Sequence, residues 1–205
     1  MSKKRKATVS ERTGSPFVPQ KPELIAYGIS IALLAFSFSY VKVSSLSEIL
    51  AVLPTVIATS IVVEFVKTFV LVAYARSRGV WTEHRLWYFG LAAFVLTTFA
   101  FRMPFSSPSR NLYHSPKFTV RLGVILSSAT ILISLAFAGL FFALLVSGFA
   151  AVGATGLAMC LIGAFLDTFP VAPMNGKALF DHNRILWAVL FAAVTALYGA
   201  WMLLL

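Results

Sequence analysis

From Leu122 to Leu166 the chain runs 45 residues without a charged side chain. A helix of about 20 apolar residues crosses a bilayer core roughly 30 Å thick. The run is therefore twice what one crossing needs, and the spacing predicts a break at Ser147-Gly148 into two spans. Uncharged stretches recur elsewhere in the 205 residues: 24–41, 49–63, the 16 residues 86–101, and 185–205. Hydrophobic residues make up 59% of the chain and charged residues only 12%, against about a quarter in a soluble domain. Too few polar groups remain to cover a globular surface, which excludes a soluble enzyme. The same apolar content excludes a disordered chain. The single cysteine, Cys160, excludes a disulfide scaffold or a cysteine-built metal cluster.

The expected fold class is an all-α, polytopic helical membrane bundle with five to six transmembrane helices. Spans are expected at about 24–43, 48–75, 118–146, 149–168 and 185–205, with Pro54 kinking the second. Segment 86–101 is short for a crossing and is expected to be a half-span or interfacial element. Six full spans are the alternative. Residues 1–22 read as a basic, disordered tail.

Basic residues set the orientation. Lys3, Lys4, Arg5, Lys6, Arg12 and Lys21 precede the first span, so the N-terminus is expected on the cytoplasmic side of the cell membrane. A re-entrant 86–101 would leave Arg76, Arg78 and Arg85 on the same side as Arg102, Arg110, Lys117 and Arg121. The first apolar run is longer than a signal core and no small-residue cleavage site follows Tyr40, so it reads as an uncleaved anchor. The tail residues Lys3, Lys4, Arg5 and Lys6 are expected either to act as a topology signal alone or to contact anionic lipid or ribosomal RNA. DNA is not an expected partner.

Ionisable groups inside a membrane cost roughly 2.5–3.5 kcal/mol each by insertion scales, so their positions are informative. Glu64 and Lys67 fall on one helix face inside the second span and are expected to pair. They read as a self-satisfied ion pair or as a docking point for a partner helix. The second polar stretch runs from Asp167 to Lys177 through Pro170, Pro173, Asn175 and Gly176. Irregular backbone of this kind is tolerated at membrane depth only when buried in protein or lining a polar cavity. Asp181, His182 and Asn183 follow it. His84, His114 and His182 have no ligand-like spacing and read as interfacial histidines. Gly156, Cys160 and Gly163 form a small-residue face suited to close helix packing.

The order of these segments resembles the archaeal branch of the site-2 proteases, the intramembrane zinc metalloproteases. The residues that carry the resemblance are Ala75-Arg-Ser-Arg-Gly79, then Thr82-Glu-His-Arg-Leu-Trp-Tyr-Phe-Gly90, then the turn holding Pro170, Pro173 and Gly176. The family has Glu-Phe-Arg-Leu-Trp-Pro-Trp-Gly at the second of these. It also carries HExxH on a membrane helix, with two zinc-binding histidines and a glutamate base, and a third ligand, Asp, in an Asn-x-x-Pro-x-x-Pro-x-Asp-Gly turn. Without gaps, HExxH falls on Lys67-Thr-Phe-Val-Leu71. A register four residues earlier falls on Val63-Glu-Phe-Val-Lys67 and keeps only the glutamate. Asn175 stands at the position of the ligand Asp, Asp167 at that of the turn's Asn, and Ile125–Leu132 replaces the Ser-Leu-Ala-Gly-Pro-x-x-Asn region.

The resemblance thus implies the scaffold without the zinc ligands. No catalytic residue, metal or cofactor is assigned. The expected role is a catalytically inactive binding or scaffolding subunit of a larger membrane complex. Glu64, Lys67, Asp167 and Asn175 would line a polar groove for a partner helix. The alternatives are an active metalloprotease with displaced ligands at Asp167, Asp181 and His182, and a transporter or channel component using Glu64 and Lys67.

Overall fold

The computed structural model describes residues 18–43, 45–105, 107–114, 118–172 and 174–204. Lys3, Lys4, Arg5, Lys6 and Pro173 lie outside the described residues. Five helices are long and apolar enough to cross a membrane: Lys21–Val41, Leu46–Ser77, Val120–Val146, Ala150–Asp167 and Arg184–Leu203. The chain is a polytopic helical membrane bundle.

Helix α1 (Lys21–Lys42) starts where Pro22 preorganises the first turn and Glu23 reaches back to the Gln20 amide at 2.7 Å in a capping box. The second span consists of α2 (Leu46–Ser60), a π-helical stretch Ile61–Val66, and α3 (Lys67–Ser77). Ser45 caps its start by accepting from the Glu48 amide, and the helix runs on through Pro54. The π-helical widening, a feature frequent at functional sites, carries Glu64.

The chain then departs from pure helix. Strands β1 (Trp81–Leu86) and β2 (Ser109–His114) pair antiparallel, with Leu86 opposite Ser109 and Trp81 opposite His114. Between them α4 (Tyr88–Phe101) leaves and the chain returns, closed at its base by Trp87 N donating to the Pro108 carbonyl at 2.9 Å. Fourteen helical residues cover about 21 Å, which is short of a full crossing. At the tip Arg102 adopts φ 52° and ends the helix, and Pro104 follows. The return segment is tied to α4 through Phe105 N donating to Thr97 Oγ1 at 3.0 Å.

This excursion changes one expectation about charge. Arg110 pairs across the strands with Arg85, at the end of the bundle where Glu23 meets Arg76. Arg102 instead sits over the Tyr40 ring at 5.7 Å, beside the opposite end of α1. A re-entrant α4 therefore returns Arg110 to the side of Arg85 but leaves Arg102 at the loop's far tip.

Helices α5 (Val120–Val146) and α6 (Ala150–Asp167) form an antiparallel pair turned at Gly148, φ 95°. Gly156 allows the close approach, because a Cβ there would overlap the Phe141 ring. At Gly163, by contrast, a Cβ would meet nothing within 4 Å, so only part of the small-residue face is used in packing. Short α7 (Asn175–His182) leads into α8 (Arg184–Leu204). The main core lies where Ala35, Phe38, Val56, Val63, Phe141 and Met159 meet, and a second cluster joins Ile131, Ala164, Leu179 and Val194.

Candidate functional site

The second span turns one face inward. Glu64, Lys67, Thr68 and Leu71 follow helical spacing, and all four line a single cavity of about 560 Å³. The opposing walls are β2, the N-terminal half of α5 with Ser127 and Thr130, the α6–α7 junction with Asp167 and Asn175, and His182 at the end of α7. Glu64 and Lys67 on the second span thus face one space with Asp167 and Asn175 of the distant α6–α7 junction.

The turn is built for close approach. Gly176 packs against the Thr168 and Phe169 carbonyls so tightly that a Cβ would collide with the Thr168 oxygen. This holds Asn175 against the end of α6, where its Nδ2 donates to Asp167 Oδ1 at 2.8 Å. Trp187 Nε1 donates to the Thr168 carbonyl at 2.9 Å and satisfies the end of the same helix. Pro170 stands in this turn, half-buried.

Glu64 is 7% exposed and does not pair with Lys67. Its Oε1 accepts from Ser109 Oγ at 2.6 Å and lies 3.6 Å from His84 Nε2. The widened helical turn and the two strands supply these partners. None was visible in the sequence, because β2 lies in a stretch (102–117) that matched no motif.

His84 is buried within the protein. It is 2% exposed and stacked on Tyr27 at 4.2 Å, with Nδ1 3.0 Å from Asn111 Oδ1. With the Nδ1 proton on that oxygen, Nε2 is left buried, without a hydrogen bond, at the cavity wall. Its backbone amide donates to Glu23 Oε1, which also accepts from Arg76 Nη2 at 2.6 Å. Arg76 in turn donates through Nε and Nη2 to the Thr82 carbonyl at 3.0 and 2.7 Å. This buried network fastens α1, α3 and β1 together and sets the strand pair at the cavity.

Other titratable groups fall elsewhere. Asp181 pairs with Lys177 at 2.8 Å on the exposed side of α7, so Asp167, Asp181 and His182 do not form one cluster. Asn183 Oδ1 accepts from the Leu186 amide at the start of α8. His114 lies 3.9 Å from Glu83 at the strand end. Tyr113, at the cavity wall, has its phenol pushed up to about 12. Burial is the main cause, the nearby Asp167 charge adds to it, and a hydrogen bond with Asn111 acts the other way.

Zinc, which the resemblance implies, does not fit the residues present. In the gap-free register the ligand and base positions are Lys67, Thr68, Leu71 and Asn175, and all four line the cavity. An ammonium has no lone pair to give, and leucine has no donor atom. Asn175 is a neutral amide already bonded to Asp167. No three His, Cys, Asp or Glu side chains gather closely enough to hold an ion among the described residues.

The chain is 28% identical over 172 residues to a Methanocaldococcus jannaschii protein that carries the provisional name of a zinc metalloprotease. The match covers 82% of this chain and 87% of that protein. No family model matches, and no solved structure matches. The chain is a distant relative of that archaeal protein.

Proposed function

We propose that this protein is a site-2-protease-like membrane protein that has lost its metal chemistry and acts as a non-catalytic binding subunit, holding a segment of a partner membrane protein in its polar cavity. The observation that carries this reading is the replacement of every ligand position by Lys67, Leu71 and Asn175 while those residues still line one half-open cavity. Hydrolysis by zinc needs three protein ligands, an open position and a base. The relative's provisional name supports the scaffold and not the reaction.

The cavity suits an extended segment better than a helix. Ser109, Arg110, Asn111, Leu112 and Tyr113 all line it, five consecutive residues of a strand whose side chains must alternate. β2 therefore presents an edge, since β1 occupies its other side in a two-stranded sheet. An unpaired edge binds extended chain through backbone hydrogen bonds.

In this reading the end of the bundle holding Lys21, Arg78, Arg85 and Arg110 faces the cytoplasm. The basic tail, Lys3 to Lys6, would then add contact with anionic lipid or ribosomal RNA.

Extraction of the tagged native chain in mild detergent, with mass spectrometry of what co-purifies, tests the subunit role. A reproducible membrane protein at near-equal amount supports it, and a lone chain contradicts it. The transporter reading rests on Glu64 and Lys67 as intramembrane charges. It requires ion flux in liposomes that Glu64→Gln abolishes.

A further inference from the structure

Lys67 lines the cavity at membrane depth, and among the described residues its ammonium has no hydrogen bond and closes no ion pair. Each of the two carboxylates that share the space already accepts a hydrogen bond from another residue. Glu64 accepts from Ser109 and faces His84, while Asp167 accepts from Asn175 and reaches Lys67 only as a Coulombic neighbour. An ammonium carries three donors and strongly disfavours an apolar surround without acceptors. His84 Nε2, buried and without a hydrogen bond, opens on the same cavity; with Nδ1 protonated it is an acceptor and adds no donor. Arg110, exposed on β2, adds positive charge at the wall. Positive charge at the cavity wall, on Lys67 and Arg110, thus lies beside a strand edge.

We infer that Lys67 is a specificity residue that selects partner segments carrying an aspartate or glutamate within their membrane-embedded stretch, the carboxylate pairing with its ammonium while the segment lies along β2. The inference rests on the binding role proposed above and names the partner's chemistry. A carboxylate on an apolar segment is itself costly in lipid, so pairing inside the cavity relieves both charges at once.

The test uses the full chain in lipid nanodiscs and three fluorescent apolar peptides of equal length that differ only in a central Asp, Asn or Lys. Each carries a photoreactive group, so that labelling of β2 reports seating in the cavity. The Asp peptide is expected to bind roughly tenfold or more tighter than the Asn peptide, as close charge pairs at interfaces do. Lys67→Met should remove that difference, so that the Asp and Asn peptides label β2 equally. Lys67→Glu should transfer the preference to the Lys peptide, a gain that misfolding cannot produce. Equal labelling of β2 by the Asp and Asn peptides overturns the acid preference and leaves the binding role standing. Absence of β2 labelling by every peptide overturns both. A Lys67→Met chain that is destabilised, is rescued by Asp167→Asn and keeps its preference for the Asp peptide assigns Lys67 to internal charge balance and overturns the inference.

Discussion

The Trp87 amide donates to the Pro108 carbonyl at 2.9 Å, so the chain that leaves β1 into α4 comes back to the point of its departure. One hydrogen bond turns an apolar segment into an excursion between paired strands. Single-cysteine variants in a Cys160→Ala background test this. Arg85→Cys and Arg110→Cys should react with an impermeant thiol reagent from the same side of sealed vesicles, and Arg102→Cys should not react from that side. Labelling of Arg85→Cys and Arg110→Cys from opposite sides would establish a sixth full crossing.

Glu23 and Arg76 form a buried pair, each less than a tenth exposed, that also ties down the His84 amide and the Thr82 carbonyl. Removing one partner strands the other charge, at a cost of about 3–5 kcal/mol. Glu23→Ala and Arg76→Ala should each lower the thermal midpoint sharply in detergent. The double variant should lose less than the two single losses added together.

Gly176 has no room for a side chain against the Thr168 carbonyl. Gly176→Ala should cost about 1–3 kcal/mol through displaced backbone and pull Asn175 away from Asp167. Its effect should exceed that of Gly163→Ala, where a Cβ meets nothing within 4 Å. Thermal unfolding of the two variants side by side makes the comparison.

The Tyr113 phenol is pushed from 10.0 to about 12 by burial, so the folded chain favours its protonated form. Stability from this group is full below pH 10 and is lost as pH rises towards 12. Subtracting the ultraviolet titration of Tyr113→Phe from that of the parent chain should isolate one phenol ionising late, and the variant should lose that group's share of the alkaline loss. Ordinary ionisation near pH 10 at this residue would contradict the burial.

The span pattern and the Gly148 turn were legible because a membrane helix declares itself by length and lack of charge, and the polar turn because proline, asparagine and glycine cluster there. The expectation that Glu64, Lys67, Asp167 and Asn175 share a groove came from the family resemblance, and all four line one cavity. The strand pair was not legible. Ser109, Asn111 and His84 are short polar residues in segments without alternation, and only the pairing of β1 with β2 brings them beside Glu64. For the same reason the Glu64–Lys67 pair expected from helical spacing gives way to Ser109 and His84.

The proposed loss of zinc chemistry makes a direct prediction of its own. The chain purified without added metal or chelator should hold far less than one zinc per molecule by elemental analysis. Adding zinc should not raise its thermal midpoint, since a ligand bound to the native state stabilises it. Stoichiometric zinc, lost on Asp167→Asn, would restore the displaced-ligand protease.

The most direct test of the account places a photoreactive amino acid at Leu112 on β2 of the tagged chain and irradiates cells in which it is expressed with its native neighbours. The account predicts one intact membrane protein captured at this position, absent when the probe is moved to lipid-facing Leu203. Capture of a cleaved fragment, or the same capture pattern from both positions, would contradict a cavity that binds without cutting.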